Sequence, residues 1–385
     1  MRYESARLAD FSVPAEKDCR RSFDSSFFVL VVLLLTMGVV MVLSSSYARA
    51  YYDPGNITGG NAAYYFIRQL LFALLGLGVM LFASRIPMRL YRRYAFHFLA
   101  LVLVLLVLVP IIGVKANGAR RWLGVGGLTI QPSELAKLAV IISFSELICH
   151  LRSRMRTFKY GILPFAVILC TIIALLVLEP HFSASIIIIA IGGAMLFLGG
   201  VRLGWFAAAF GAVGAAVAVL LTFFPYASSR INTWRDPFSS SSDEGYQIVQ
   251  SLYTIGSGGL SGLGLGGSRQ KFLYLPEEHN DFIFSVWCEE LGFIGAALIL
   301  VLFAMLILRG YWIALHSPDR FSFLVCAGIT TLLAIQVFLN VAVVTNLVPC
   351  TGISLPFFSY GGTALLIELF EMGIILSVSR DVLRY

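Results

Sequence analysis

Within residues 275–284, LPEEHNDFIF, three carboxylates and a histidine fall in the five positions Glu277 to Asp281, and the chain then turns apolar. Two kinds of chemistry suit such a cluster at the mouth of a membrane helix. Acids at a helix start are favoured by its positive end, which would make Asp281 a cap. A carboxylate in a membrane-facing cleft, with water on one side and cations nearby, can instead act as a general base. Residue chemistry leaves both readings open.

The cations are found elsewhere in the chain. In ANGARRWLGVGGLTIQPSE, Arg120 and Arg121 precede Trp122. A tryptophan at an interface is by default a belt anchor, but paired arginines beside it suit a phosphate group, whose oxygens the guanidinium fork matches. Glu134 and Lys137, in QPSELAKLAV, share one helix face at i, i+3. A local ion pair would explain them, although Lys137 lies deep enough to need an anion. Glu289 and Glu290, in WCEELGFIG, point about 100° apart on a helix and cannot share a partner. Arg68 reads as a snorkelling or acid-paired structural residue. Glu368 and Glu371, again i, i+3, have no assignable role. Gly262, Gly264 and Gly267 form a GxGxxG string, but an outer loop lacks the strand and helix that a dinucleotide site needs, so they read as bending points.

These groups must be positioned by membrane helices. The 385 residues are 58% hydrophobic and 13% charged, with a mean hydropathy of +0.86. That describes an all-α polytopic membrane protein. Ten spans are expected: 27–46, 65–84, 95–113, 133–150, 162–179, 183–201, 203–224, 282–307, 322–345 and 362–379. The first is too long and too deep in the chain for a cleaved signal peptide. With both termini inside, the inner segments hold 18 of the 28 Lys and Arg residues and the outer loops eight, as the positive-inside rule requires. The net charge of +7 is thus topogenic, and nucleic acid is excluded as a partner. This gives a cytoplasmic tail 1–26, a membrane domain 27–379 and a tail 380–385. Residues 225–281 form one long extracytoplasmic loop, and long ordered loops are usually functional. Six scattered cysteines form no CxxC or Cys/His cluster, so neither a disulfide framework nor a zinc site is indicated.

Four long motifs together resemble one family. RWLGVGG followed by QPSELAK, GYQIVQSLYTIGSGGLSGLGLGGSRQKFLYLPEEHNDFIF, EELGFIG and TGISLPFFSYGG are similar to the SEDS (shape, elongation, division and sporulation) proteins. The likeness runs from the first span to the last, and SRQKFLYLPE is closer to the division and sporulation branch, FtsW and SpoVE, than to RodA. The resemblance implies a ten-span fold with both termini cytoplasmic in a bacterial membrane. It also implies peptidoglycan glycosyltransferase activity on lipid II, with a class B penicillin-binding protein as transpeptidase partner and divisome or sporulation proteins around it. Asp281 matches the family's catalytic aspartate, Lys137 its span-four lysine, Arg121 and Trp122 its outer-loop Arg-Trp pair, and Glu290 a glutamate of its Glu-Glu-Leu-Gly motif. LEPHFSAS at 178–185 departs from the usual Gln-Pro-Asp pattern, so no function is carried onto Glu179 or His181.

Lipid II carries its sugar on an α-linked pyrophosphate and the glycan product is β-linked. One displacement therefore suffices, with one base for the attacking hydroxyl and cations for the departing pyrophosphate. On this expectation Asp281 is the base, and Arg121 with Lys137 meets the pyrophosphate or orients Asp281. A divalent cation, Mg or Mn, could assist the leaving group, although the sequence holds no metal-ligand cluster. The rival reading is a lipid II flippase using the same charged cavity. A non-catalytic scaffold would explain neither Arg120-Arg121-Trp122 nor Asp281.

Overall fold

The computed structural model describes residues 23–52, 58–116, 119–125, 128–179, 181–202, 204–208, 211, 232–239 and 243–382. Helices dominate: α1 (Ser25–Tyr52), α2 (Tyr64–Ala83), α3 (Met88–Arg93), α4 (Ala95–Ile112), α5 (Pro132–Leu151), α6 (Phe158–Gly161), α7 (Leu163–Leu178) and α8 (Phe182–Leu198), then α9 (Asp243–Ser257), α10 (Ile283–Leu315), α11 (Arg320–Val344) and α12 (Gly362–Arg380). Among the described residues, seven segments are long and apolar enough to cross a membrane, and α8 is a shorter apolar helix. α5 carries Glu134, Lys137 and Glu146 and is not among the seven. Nine of the ten expected spans coincide with these helices; the seventh, 203–224, lies largely outside the described residues. The outer flanks present Leu74, Leu75, Phe82 and Leu101 to the surroundings, the apolar exposure that a lipid solvent favours.

α5 and α11 form the middle of the bundle, with α8 against both. α2 runs along α12, and α1 lies across α2 and α10. At one end of the bundle, Asp24 caps α1 by accepting from Phe27 N at 2.8 Å and also receives Arg309 Nη2 of α10 at 2.6 Å.

Two features depart from a plain helical reading. First, residues 114–130 form an antiparallel meander, β1 (Val114–Ala116), β2 (Ala119–Val125) and β3 (Leu128–Ile130). Val114 pairs with Trp122 while Lys115 pairs with Arg120, which leaves Arg121 as the extra residue of a bulge. A bulge re-aims side chains and breaks the strand's alternation. Second, α10 is broken at Gly292, whose φ is 65° and ψ −166°. The glycine-rich loop fills the break: Leu263 N and Gly264 N donate to the carbonyls of Glu289 and Glu290, and Phe293 N and Ile294 N donate to those of Gly259 and Leu260. The backbone groups freed by the break are thereby paired, as burial requires. The segment expected as one long loop thus contains a helix, α9, and a glycine turn docked on a broken one. A Cβ on Gly262 would lie 2.2 Å from the Glu290 carbonyl oxygen, so the glycines serve close approach as well as bending.

Candidate functional site

A cavity of about 830 Å³ opens among α2, β2, α5, α8, the acidic loop before α10 and the loop before α12. Asp281, Arg121, Trp122 and Lys137 all line it. The bulge accounts for Arg121 and Trp122 reaching it from consecutive positions, while Arg120 is exposed and donates to the Pro110 carbonyl at 3.1 Å.

Asp281 is held through its backbone. Asn340 of α11 donates from Nδ2 to the Asp281 carbonyl at 2.8 Å and to the Ile353 carbonyl at 2.7 Å. Ser359 Oγ donates to the Asn280 carbonyl at 2.8 Å, and Tyr360 N to that of His279 at 2.9 Å. Three residues from α11 and the FFSYGG loop thus fasten the acidic loop. The N-cap of α10 is Phe282, with no side-chain cap bond, so the capping reading of Asp281 has no support. Gly352, at φ 63°, lies so close that a Cβ there would sit 3.0 Å from Asp281 Oδ2. Burial pushes the Asp281 carboxyl up to about 6; Glu277 adds to the rise, and His279 and Arg121 oppose it. Such a group sits near the operating range of a general base.

The remaining members of PEEHND divide sharply. Glu277 lines the cavity. Glu278 is buried and ion-paired with Arg49 of α1 at 3.4 Å. His279 is buried between the rings of Tyr65 and Tyr360, with centroids 4.8 and 5.8 Å away.

Lys137 is buried and pairs with Glu134 at 2.5 Å, and it also lies within electrostatic reach of Glu368 and Glu371 on α12. Glu368 accepts from Phe357 N at 3.1 Å and lines the cavity. Lys137 is therefore the ion-pair partner of Glu134 as well as a cavity cation.

Glu290 lies apart from the other expected site residues. It does not line the cavity. It is fully buried and accepts from Lys271 Nζ at 2.9 Å and Ser44 Oγ at 2.6 Å. Glu289 accepts from Ser257 Oγ at 3.1 Å, Arg269 N at 3.2 Å and Ser268 Oγ. Both glutamates fasten the glycine-rich loop.

Arg68, read from the sequence as structural, lines the cavity and donates to Tyr64 Oη at 2.8 Å; His181, onto which no function was carried, and Gln131 line it as well. Burial together with the Arg121 and Lys137 charges drives the His181 imidazole down to about 3. Ionisable groups between two apolar spans were the available signal. Among the described residues no group of three or more His, Cys, Asp or Glu is placed to hold a metal ion.

A membrane bundle with a polar cavity walled by cations and by the raised Asp281 carboxyl defines a class of lipid-facing machinery. The chain belongs to the FtsW/RodA/SpoVE family of cell cycle proteins, whose model matches residues 24–383. It is 39% identical over 364 residues to the stage V sporulation protein E of Bacillus subtilis, covering 94% of this chain and 98% of that protein. It is 40% identical over 362 residues to a probable peptidoglycan glycosyltransferase FtsW of Trichlorobacter lovleyi, covering 94% of each. Among solved structures it is similar to a chain from a peptidoglycan synthase complex that coordinates polymerization and crosslinking, with a TM-score of 0.77 and 28% identity over 93% of this chain and 98% of that one. Thermus thermophilus RodA matches with a TM-score of 0.67 and 28% identity over 94% and 98%.

Proposed function

We propose that this protein is a peptidoglycan glycosyltransferase that polymerises lipid II into β-1,4 glycan strands at the outer face of the cytoplasmic membrane. The observation that carries the reading is the convergence of Asp281, Arg121, Trp122 and Lys137, from separate parts of the chain, on one cavity. Asp281 accepts the proton of the attacking 4-hydroxyl. Arg121 and Lys137 stabilise charge on the departing pyrophosphate, and inversion needs no covalent sugar intermediate. Trp122 supplies an apolar wall for the sugar or the first isoprene units. The named activity of the FtsW relatives supports the reaction, and the likeness to a synthase complex supports a class B penicillin-binding protein as partner. The names of the relatives fit work in division or sporulation. Both termini are assigned to the cytoplasm from the charge asymmetry, so a reporter after Tyr385 should read inside.

The test is purified protein in liposomes with labelled lipid II, with and without a class B partner. Wild type should build glycan chains and Asp281→Asn should not. Headgroup translocation without polymerisation would replace the enzyme with a flippase.

A further inference from the structure

The run that carries Asp281 is wound into a tight turn around Glu277. Glu277 has φ of 53°, a left-handed conformation in which asparagine and aspartate are enriched and other side chains are uncommon. Its carbonyl accepts from Asn280 N at 3.0 Å and from Phe282 N at 3.4 Å. Its carboxylate accepts from Asn280 Nδ2 at 2.6 Å. The turn is closed by main chain and side chain together, with Glu277 and Asp281 both on the cavity wall. Glycine or asparagine would satisfy such a backbone with less strain, so the turn alone does not account for a carboxylate. Moreover, the amide that fixes this carboxylate is neutral and leaves its charge uncancelled.

We propose that Glu277 is a positioning residue for the transfer step: its negative charge, locked beside Asp281 by Asn280, makes Asp281 a stronger proton acceptor. The inference rests on Asp281 being the base. Like charges disfavour each other's ionised form. Glu277 is the contributor after burial to the raised Asp281 carboxyl, against His279 of the same loop and Arg121 of β2. Arg68 of α2, Glu134 and Lys137 of α5, His181 before α8, Tyr360 before α12 and Glu368 of α12 also face the cavity and set the background field. Glu278, one residue on, has its charge met by Arg49.

The test is the pH–rate profile of lipid II polymerisation by the full-length protein. In wild type the rate should rise with pH through about 6 as Asp281 ionises. Glu277→Gln keeps the shape and can still accept from Asn280, but drops the charge. Its midpoint should fall by about half a unit to one unit, with a loss of only about a few-fold on the high-pH plateau. Glu277→Asp, which restores the charge in a residue that tolerates the backbone, should bring the midpoint back. If Glu277→Gln is too weak to profile, a melting double-mutant cycle with Asp281→Asn at pH 8 decides: non-additivity supports the coupling and additivity overturns it. A Glu277→Gln midpoint equal to that of wild type overturns the role of Glu277 while leaving Asp281 as base. Absence of any acidic limb in wild type, with Asp281→Asn still active, would instead remove Asp281 and the inference with it.

Discussion

The acids of WCEELGFIG and those of LPEEHNDFIF look alike on paper and are used in opposite ways. Glu289 and Glu290 are sunk where hydrogen bonds and a cation meet them. The three donors of the Lys271 ammonium go to Glu290, Ser44 and the Gly266 carbonyl, so a buried pair is compensated on the cation's side. Asp281 faces a cavity with its backbone fastened and its carboxylate left for something else. Burial with partners yields a clasp; burial beside open space yields a group poised to take a proton.

Substitutions can break this contrast. The largest effect should come from Asp281→Asn, with polymerisation down by roughly two orders of magnitude or more. Its stability should move the other way. Because the folded-state carboxyl is raised to about 6, the fold's stability is full at pH below the ordinary carboxylate range and falls as pH rises through about 6. Asp281→Asn escapes that loss, so melting curves at pH 8 should place it above wild type. An active variant that melts lower would put Asp281 among the structural acids.

Lys271→Met should do the reverse. It strands Glu290 in the interior and should destabilise the fold by about 3–5 kcal/mol, read by thermal unfolding, while activity per folded molecule persists. Lys271→Met combined with Glu290→Met should recover much of the loss, since no buried charge is left alone. Next, Arg121→Ala should lower polymerisation on the order of tenfold, the scale of a lost charge-assisted contact, with little change in melting. The smallest effect is expected at the clasp's backbone. Gly262→Ala puts a Cβ at φ 77° against the Glu290 carbonyl and should cost about 1–3 kcal/mol, with the catalytic rate of surviving protein unchanged. A selective loss of rate there would join the two regions that the comparison separates.

The helices were legible because apolar length is a local property, and nine expected spans fall on described helices. The break at Gly292 was not, because a non-helical residue inside an apolar run is stabilised by bonds from a loop some thirty residues earlier. The meander was missed for a related reason: its strands are short, and a bulge at Arg121 removes the alternation that would have marked β2. Four of the five residues expected in the site meet in the cavity. Glu290 does not, since motif membership carries no information about which way a side chain points.

The amino-acid sequence alone determined a multi-pass helical membrane protein, the charge asymmetry along it, and the ionisable residues too costly to be incidental in an apolar chain. Tertiary structure decided which of those residues answer one another. Glu278 became a partner of Arg49 and Glu290 of Lys271, across 229 and 19 residues respectively, while Asp281 was left facing Arg121 and the open cavity. Electrostatic and hydrogen-bond energies depend on separation in space and on local dielectric, and neither quantity is written in the order of residues along the chain.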